Sequence, residues 1–181
     1  MKRVDTPLAG LVQLEPKVHG DARGFFYEAW NRDTYRGVGI DRSWVQDNVS
    51  RSARGVLRGL HYQLARPQAK LVTVLAGEAF DVAVDVRRSS PTFGKWFSVV
   101  LSGEKRNLLY IPEGFAHGFQ VLSESADFFY KVTAFWSPED ERGVIWNDPA
   151  LAIPWPLAGT PSLSGRDAKL PPLERQRDLP A

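Results

Sequence analysis

The chain has 181 residues, 43% of them hydrophobic, with 23 Lys and Arg against 21 Asp and Glu and no cysteine. Such a composition describes a globular chain long enough for a substantial core, and it excludes disulfides, thiolate catalysis and cysteine-ligated metals. A formal net charge of +2, with no dense basic block, argues against nucleic acid and suits a small anionic ligand held by a few arginines.

In chain order, Gly10 to Leu14 reads as an opening strand closed by Pro16, and His19 to Gly24 as a turn. Phe25 to Trp30 is an aromatic strand carrying Glu28. The polar stretch 31–43 holds at most one short helix, ended by Gly37. Extended segments follow at Trp44 to Val49, Val56 to Gln63, Lys70 to Leu75 and Ala79 to Val86. The last alternates cleanly: Phe80, Val82, Val84 and Val86 share one face, Asp81 and Asp85 the other. Trp96 to Leu101, Leu108 to Ile111, Phe115 to Leu122 and Asp127 to Trp136 complete the run, and Ser137 to Glu141 breaks it. Short strands at regular spacing, with almost no helical periodicity, predict an all-β sandwich or barrel. No repeat, linker or boundary is visible, so residues 1–181 are expected to form one domain. The Pro-rich tail from about Pro154 reads as either a docked irregular segment or a loose end. No apolar run reaches membrane-span length, and MKRVDTPLAG lacks a signal-peptide core, so the expected location is the cytoplasm.

The chemistry centres on Arg58-Gly59-Leu60-His61-Tyr62-Gln63 and Lys70. Histidine titrates nearest neutrality and is the natural general base; a core histidine satisfied by one backbone hydrogen bond is the alternative for His61. A double-stranded β-helix often carries two short metal motifs, His-x-His with a downstream carboxylate and Pro-x-Gly-x-x-His. The second matches Pro112 to His117. In the first, Gln63 and Lys70 stand where a histidine and the carboxylate would be. A protonated lysine cannot ligate, so the pattern reads as a metal site replaced by organic acid and base groups. Otherwise Lys70 points to solvent and His117 is a turn histidine. Arg23, Arg58 and Lys70 flank strands that can face one cavity, where arginine forks suit phosphates. Arg58 and His61 have opposite strand parity, so both line one pocket only if Gly59 marks a bulge or kink. Tyr130 is either core or a proton donor.

Taken together, these motifs resemble the dTDP-4-dehydrorhamnose 3,5-epimerase family. The likeness runs from about Gly20 to Leu173 through HGDARGFFYE (19–28), QDN (46–48), VLRGLHYQ (56–63), IPEGFAHGF (111–119), FFYKVT (128–133), SPEDERGVIWNDP (137–149) and LSGRDAKLPPL (163–173). The resemblance implies a cupin-type jelly roll, a homodimer with an exchanged N-terminal strand, and no metal or other cofactor. It implies that His61 is the general base oriented by Asp167, Tyr130 the general acid, and Lys70 the neighbour of the C4 carbonyl oxygen. His117 would bind substrate. Arg23, Glu28, Gln46, Asn48, Arg58, Glu141 and Arg166 would hold nucleotide or sugar, and Trp136 would stack on the base. Arg23 and Glu28 are candidates to come from a partner subunit.

The implied reaction is epimerisation at C3 and C5 of dTDP-4-dehydro-6-deoxy-D-glucose. Both carbons flank the C4 ketone, so proton loss at either gives an enolate whose oxyanion needs a positive neighbour in a dry site. The chain departs from the family pattern at Arg166, usually lysine, and at Ala134-Phe135-Trp136, commonly Asp-Tyr-Tyr. The competing readings are an epimerase that inverts only one centre, a non-catalytic sugar-nucleotide-binding cupin, and a metal-dependent cupin oxygenase.

Overall fold

A computed structural model describes residues 1–156 and 158–181. Its strands, in chain order, are β1 (Lys2–Asp5), β2 (Val12–Glu15), β3 (Val18–Asp21), β4 (Gly24–Tyr27), β5 (Gln46–Ala53), β6 (Leu57–Gln63) and β7 (Lys70–Ala76). They continue as β8 (Glu78–Asp85), β9 (Trp96–Ser102), β10 (Leu108–Ile111), β11 (Phe115–Val121), β12 (Ser125–Val132) and β13 (Glu141–Gly143). One short helix, α1 (Arg32–Gly37), lies between β4 and β5. Its N-terminus is capped by Asn31, whose Oδ1 accepts from the amides of Asp33 and Thr34. Among the described residues no helix is long and apolar enough to cross a membrane.

The strands form two antiparallel sheets and a separate hairpin. The first sheet has the order β1-β2-β10-β7-β12-β5, the second β13-β6-β11-β8-β9, and among the described residues β3 pairs only with β4. From β5 onward the chain passes back and forth between the two sheets, apart from the β8–β9 hairpin within the second, as a cupin-type jelly roll does. Val72, Val74, Leu109, Phe115, Phe119 and Phe128 pack between the sheets. Tyr35 of α1 and Ile40 cover the outer face of the first sheet over Leu14, Leu71 and Tyr110. On the outer face of the second sheet, Val82, Val84 and Val86 meet Leu151, Ile153 and Leu173. The alternation read in β8 therefore holds, but both of its faces are buried, Asp81 and Asp85 included.

Some elements differ from the sequence reading. The opening strand is shifted to Val12–Glu15, and β1, a polar edge strand in Lys2–Asp5, precedes it. The expected turn at 19–24 is the tip of the β3–β4 hairpin. The last long strand stops at Val132, not Trp136: Thr133 N still donates to Ala69 O at 3.2 Å, but Ala69 N turns to the Thr133 side-chain Oγ1 at 2.9 Å and the ladder ends. Within the break, Glu141–Gly143 pairs with β6 as β13.

The tail runs along the second sheet with two one-turn 3-10 helices, Asp167–Lys169 and Leu173–Arg175. Ser162 forms a parallel bridge to Val56. Ile145 N donates to Pro171 O at 3.0 Å, Leu173 N to Asp148 Oδ2 at 2.6 Å, and Arg88 N to Pro180 O at 2.9 Å.

Candidate active site

The parity conflict between Arg58 and His61 is resolved by a bulge at Gly59. On β11, His117 pairs with His61 and Phe119 with Arg58, so two steps of β11 match three of β6. Leu60 is thereby turned into the outer core while Arg58 and His61 both face inward. Gly59 has φ +112°, and a Cβ there would lie 2.6 Å from both Gly118 Cα and His117 O. Only glycine satisfies both the backbone geometry and the close approach of β11.

Between the sheets opens a cavity of about 610 Å³. Its second-sheet wall carries Arg58, His61, His117 and Glu141; its first-sheet wall carries Gln46, Asn48, Lys70 and Tyr130. The tail supplies Arg166 and Asp167, and Trp136 lies at the rim. Register explains the first wall. Tyr130 pairs with Asn48 on one side, and Val132 pairs with Gln46 and Lys70 on its two sides. Asn48, Gln46, Tyr130 and Lys70 consequently share one face.

His61 Nε2 lies 2.7 Å from Asp167 Oδ1. A carboxylate only accepts, so Nε2 carries the proton and Nδ1 is left as the basic atom. Asp167 is buried, and burial alone would raise its carboxyl pKa. The His61 hydrogen bond and charge, with the Gly59 amide and Ser164, outweigh burial and hold it below the ordinary value. Its seat is local: Asp167 N donates to Ser164 Oγ at 3.0 Å, at the start of a 3-10 turn. His61 Nδ1 is 4.0 Å from Glu141 Oε1, and Glu141 is paired with Arg166.

Lys70 is buried on β7, not turned to solvent. Burial lowers its pKa from 10.5 to about 8, against the opposing pull of Glu141 and Asp81. At neutral pH it remains mostly protonated, a cation held against the cost of desolvation. His117 lies on β11, and its Nε2 donates to Asp81 Oδ2 at 2.8 Å. Burial lowers its pKa, with Asp81 acting the other way, so it is neutral near pH 7. Tyr130 is pushed up by burial and by Glu141, with Arg58 opposing, and stays protonated as a donor.

Arg58 is braced by Ser52 Oγ at 3.0 and 3.1 Å, and Gln46 donates to Asn48 Oδ1 at 2.8 Å while accepting from Trp136 N at 3.2 Å. Gln63, which stands where a His-x-His motif would have its second histidine, serves the backbone. It donates to the carbonyls of Arg66 and Phe135 and accepts from Ser137 N at 2.8 Å, fixing the turn that presents Trp136.

Two expected site residues lie elsewhere. Arg23 sits on the exposed β3–β4 hairpin, paired with Asp21, and Glu28 accepts from Asn31 at 2.9 Å. Neither lines the cavity, because the hairpin leaves both sheets, so the expectation that Arg23 joins Arg58 and Lys70 in one chain is corrected. Conversely, the sequence reading missed Asp81 and the parallel Phe119–Phe128 stack (centroids 3.9 Å apart) beside His117. An acid among the apolar residues of β8 was the available signal for Asp81. Gln68, whose Nε2 donates to Ala134 O at 2.6 Å, sits in a loop that offered none.

The family model described as dTDP-4-dehydrorhamnose 3,5-epimerase matches residues 5–175. A dTDP-4-dehydrorhamnose 3,5-epimerase of Pseudomonas aeruginosa is 55% identical over 168 residues, 92% of this chain and 93% of its own. One of Salmonella typhimurium is 50% identical, covering 95% of both chains. Among solved structures, a dTDP-6-deoxy-D-glucose-3,5-epimerase of Legionella pneumophila in complex with dTDP-4-keto-L-rhamnose superposes with a TM-score of 0.96 at 52% identity. That match covers 99% of this chain and 97% of that one.

Proposed function

The chain belongs to the dTDP-4-dehydrorhamnose 3,5-epimerase family, and we propose that it epimerises C3 and C5 of dTDP-4-dehydro-6-deoxy-D-glucose to give dTDP-4-dehydro-L-rhamnose. The observation that carries the mechanism is the 2.7 Å His61–Asp167 pair on one wall of a cavity whose opposite wall holds Tyr130 and Lys70. His61 Nδ1 removes the proton next to the C4 ketone. Asp167 fixes the tautomer and steadies the imidazolium that forms. The electrons move onto the C4 oxygen, where the buried Lys70 ammonium meets the developing charge with little water to screen it. Tyr130 returns a proton from the other sheet and so to the opposite face of the carbon, which inverts it. A positioned base contributes on the order of 100- to 10,000-fold in rate.

Arg58 and Arg166 suit the diphosphate, Gln46, Asn48, His117 and Glu141 the sugar and nucleoside, and the exposed Trp136 ring the base. Arg23 and Glu28 complete the site of a second subunit. The β3–β4 hairpin carrying Arg23 leaves Phe25 and Phe26 58% and 71% exposed, apolar surface that a homodimer with exchanged N-terminal strands would cover. The tail from about 154 belongs to the same domain as the sheets, since it delivers Asp167, and the enzyme works in the cytoplasm.

The test is incubation with the 4-keto sugar nucleotide in D2O, following C3 and C5 by NMR. Deuterium entering both centres is the expected result. Label at one centre only makes the enzyme a single-centre epimerase, and no exchange refutes the reading.

A further inference from the structure

Glu141 opens β13, a three-residue strand at the open end of its sheet, paired on one side only with β6. Its neighbour Arg142 points outward. On that outer side the last residues of the chain, beyond the range matched by the family model, close over β13. Gln176 Nε2 donates to Gly143 O, occupying the unpaired edge. Asp178 Oδ2 accepts from Arg142 Nε at 3.2 Å, and Arg142 Nη1 in turn donates to Glu139 O at 2.9 Å and Glu141 O at 3.2 Å. Asp178 O accepts from the Tyr62 hydroxyl at 2.6 Å, so the same segment also grips the residue next to His61.

We propose that residues 176–181 act as a strap over the outer edge of β13, with Gln176 and Asp178 as positioning residues that hold Glu141 in the substrate pocket. The inference rests on the assignment of Glu141 and Arg166 to substrate binding. An isolated exposed ion pair such as Arg142–Asp178 contributes little. The strap's effect comes from joining that pair to the Gln176 and Tyr62 hydrogen bonds across a strand with one neighbour. Asp167 is anchored separately, by Ser164, by Ile145 to Pro171 and by Leu173 to Asp148, all upstream of residue 176. Loss of the strap should therefore weaken binding and spare the base.

The experiment compares the full chain with the chain truncated after Arg175 and with Gln176→Ala and Asp178→Ala, measuring KM and kcat for C3/C5 exchange and Kd for dTDP. The expected result for the truncated chain is KM and Kd raised about tenfold with kcat within about threefold, and smaller rises of the same kind for the point variants. Unchanged KM, or a fall in kcat alone, overturns the strap. If the truncated chain does not fold, the point variants decide by the same criterion. A full-length chain that shows no exchange refutes the catalytic reading instead, while the dTDP affinities still report on the strap.

Discussion

Replacing Lys70 by methionine should make the protein more stable and almost inactive. The side chain is buried, and burial shifts its pKa from 10.5 to about 8. Keeping the ammonium charged at pH 7 against that burial costs on the order of 3 kcal/mol of stability. Methionine has a similar length, no charge to desolvate and adaptable packing. Lys70→Met should therefore raise the unfolding free energy at pH 7 by about 1–3 kcal/mol, the upper figure being the whole net cost of keeping the ammonium charged beside Glu141 and Asp81. The sign of the pH dependence follows. Between about pH 8 and 10.5 the unfolded wild-type chain holds the Lys70 proton and the folded chain does not. Wild-type stability thus rises with pH across that window through this group, and the methionine variant lacks the rise. Urea unfolding of both proteins at pH 7 and pH 10 measures the difference, in which titrating groups that do not interact with Lys70 cancel. The gap should narrow markedly at pH 10. A variant less stable than wild type at pH 7, or a gap independent of pH, would refute the reasoning. Exchange at C3 and C5 should fall about 100- to 1,000-fold, the loss typical of removing one oxyanion-stabilising group.

His61→Ala should abolish deuterium exchange while leaving the dTDP affinity, by calorimetry, within about threefold; near-normal turnover would end its assignment as base. Gly59→Ala forces a Cβ to within 2.6 Å of the β11 backbone at φ +112°. It should lower the urea midpoint by an amount equivalent to more than about 2 kcal/mol, or prevent folding altogether. An inactive His61→Ala chain mixed and refolded with an inactive Arg23→Ala chain should regain up to about a quarter of wild-type activity, because one site of a mixed dimer then holds both residues. Absence of complementation, together with a monomeric mass by light scattering, would dismiss the exchanged hairpin.

The strands were legible because each is a short run with alternating or wholly apolar character between Gly, Pro and Asp turns, and the register they adopt brings Gln46, Asn48, Lys70 and Tyr130 together. The bulge was legible as a requirement: Arg58 and His61 could share a cavity only if Gly59 broke the alternation, and the β11 register shows that it does. β1 escaped notice because KRVD carries no apolar face, and β13 because three residues have no period. Their pairing comes from partners distant in sequence. In the sequence Asp81 is one of two acids on a strand face. Its contact with His117 depends on β8 lying beside β11, a pairing that no local pattern encodes.

The order of strands separates two kinds of residue. His117, Lys70 and Tyr130 stand on β11, β7 and β12, each flanked by neighbours on both sides, and His61 on β6 is likewise enclosed. Gln46, Asn48 and Glu141 stand on the outermost strands β5 and β13, and Trp136 and Arg166 on loops. The groups proposed to move the proton thus stand on interior strands, Asp167 of the tail excepted, while most contacts proposed for the nucleotide, Arg58 on β6 excepted, hang on the margins. Altering which sugar nucleotide is accepted should be feasible by changing margin residues alone, with the acid, the base and their spacing inherited unchanged.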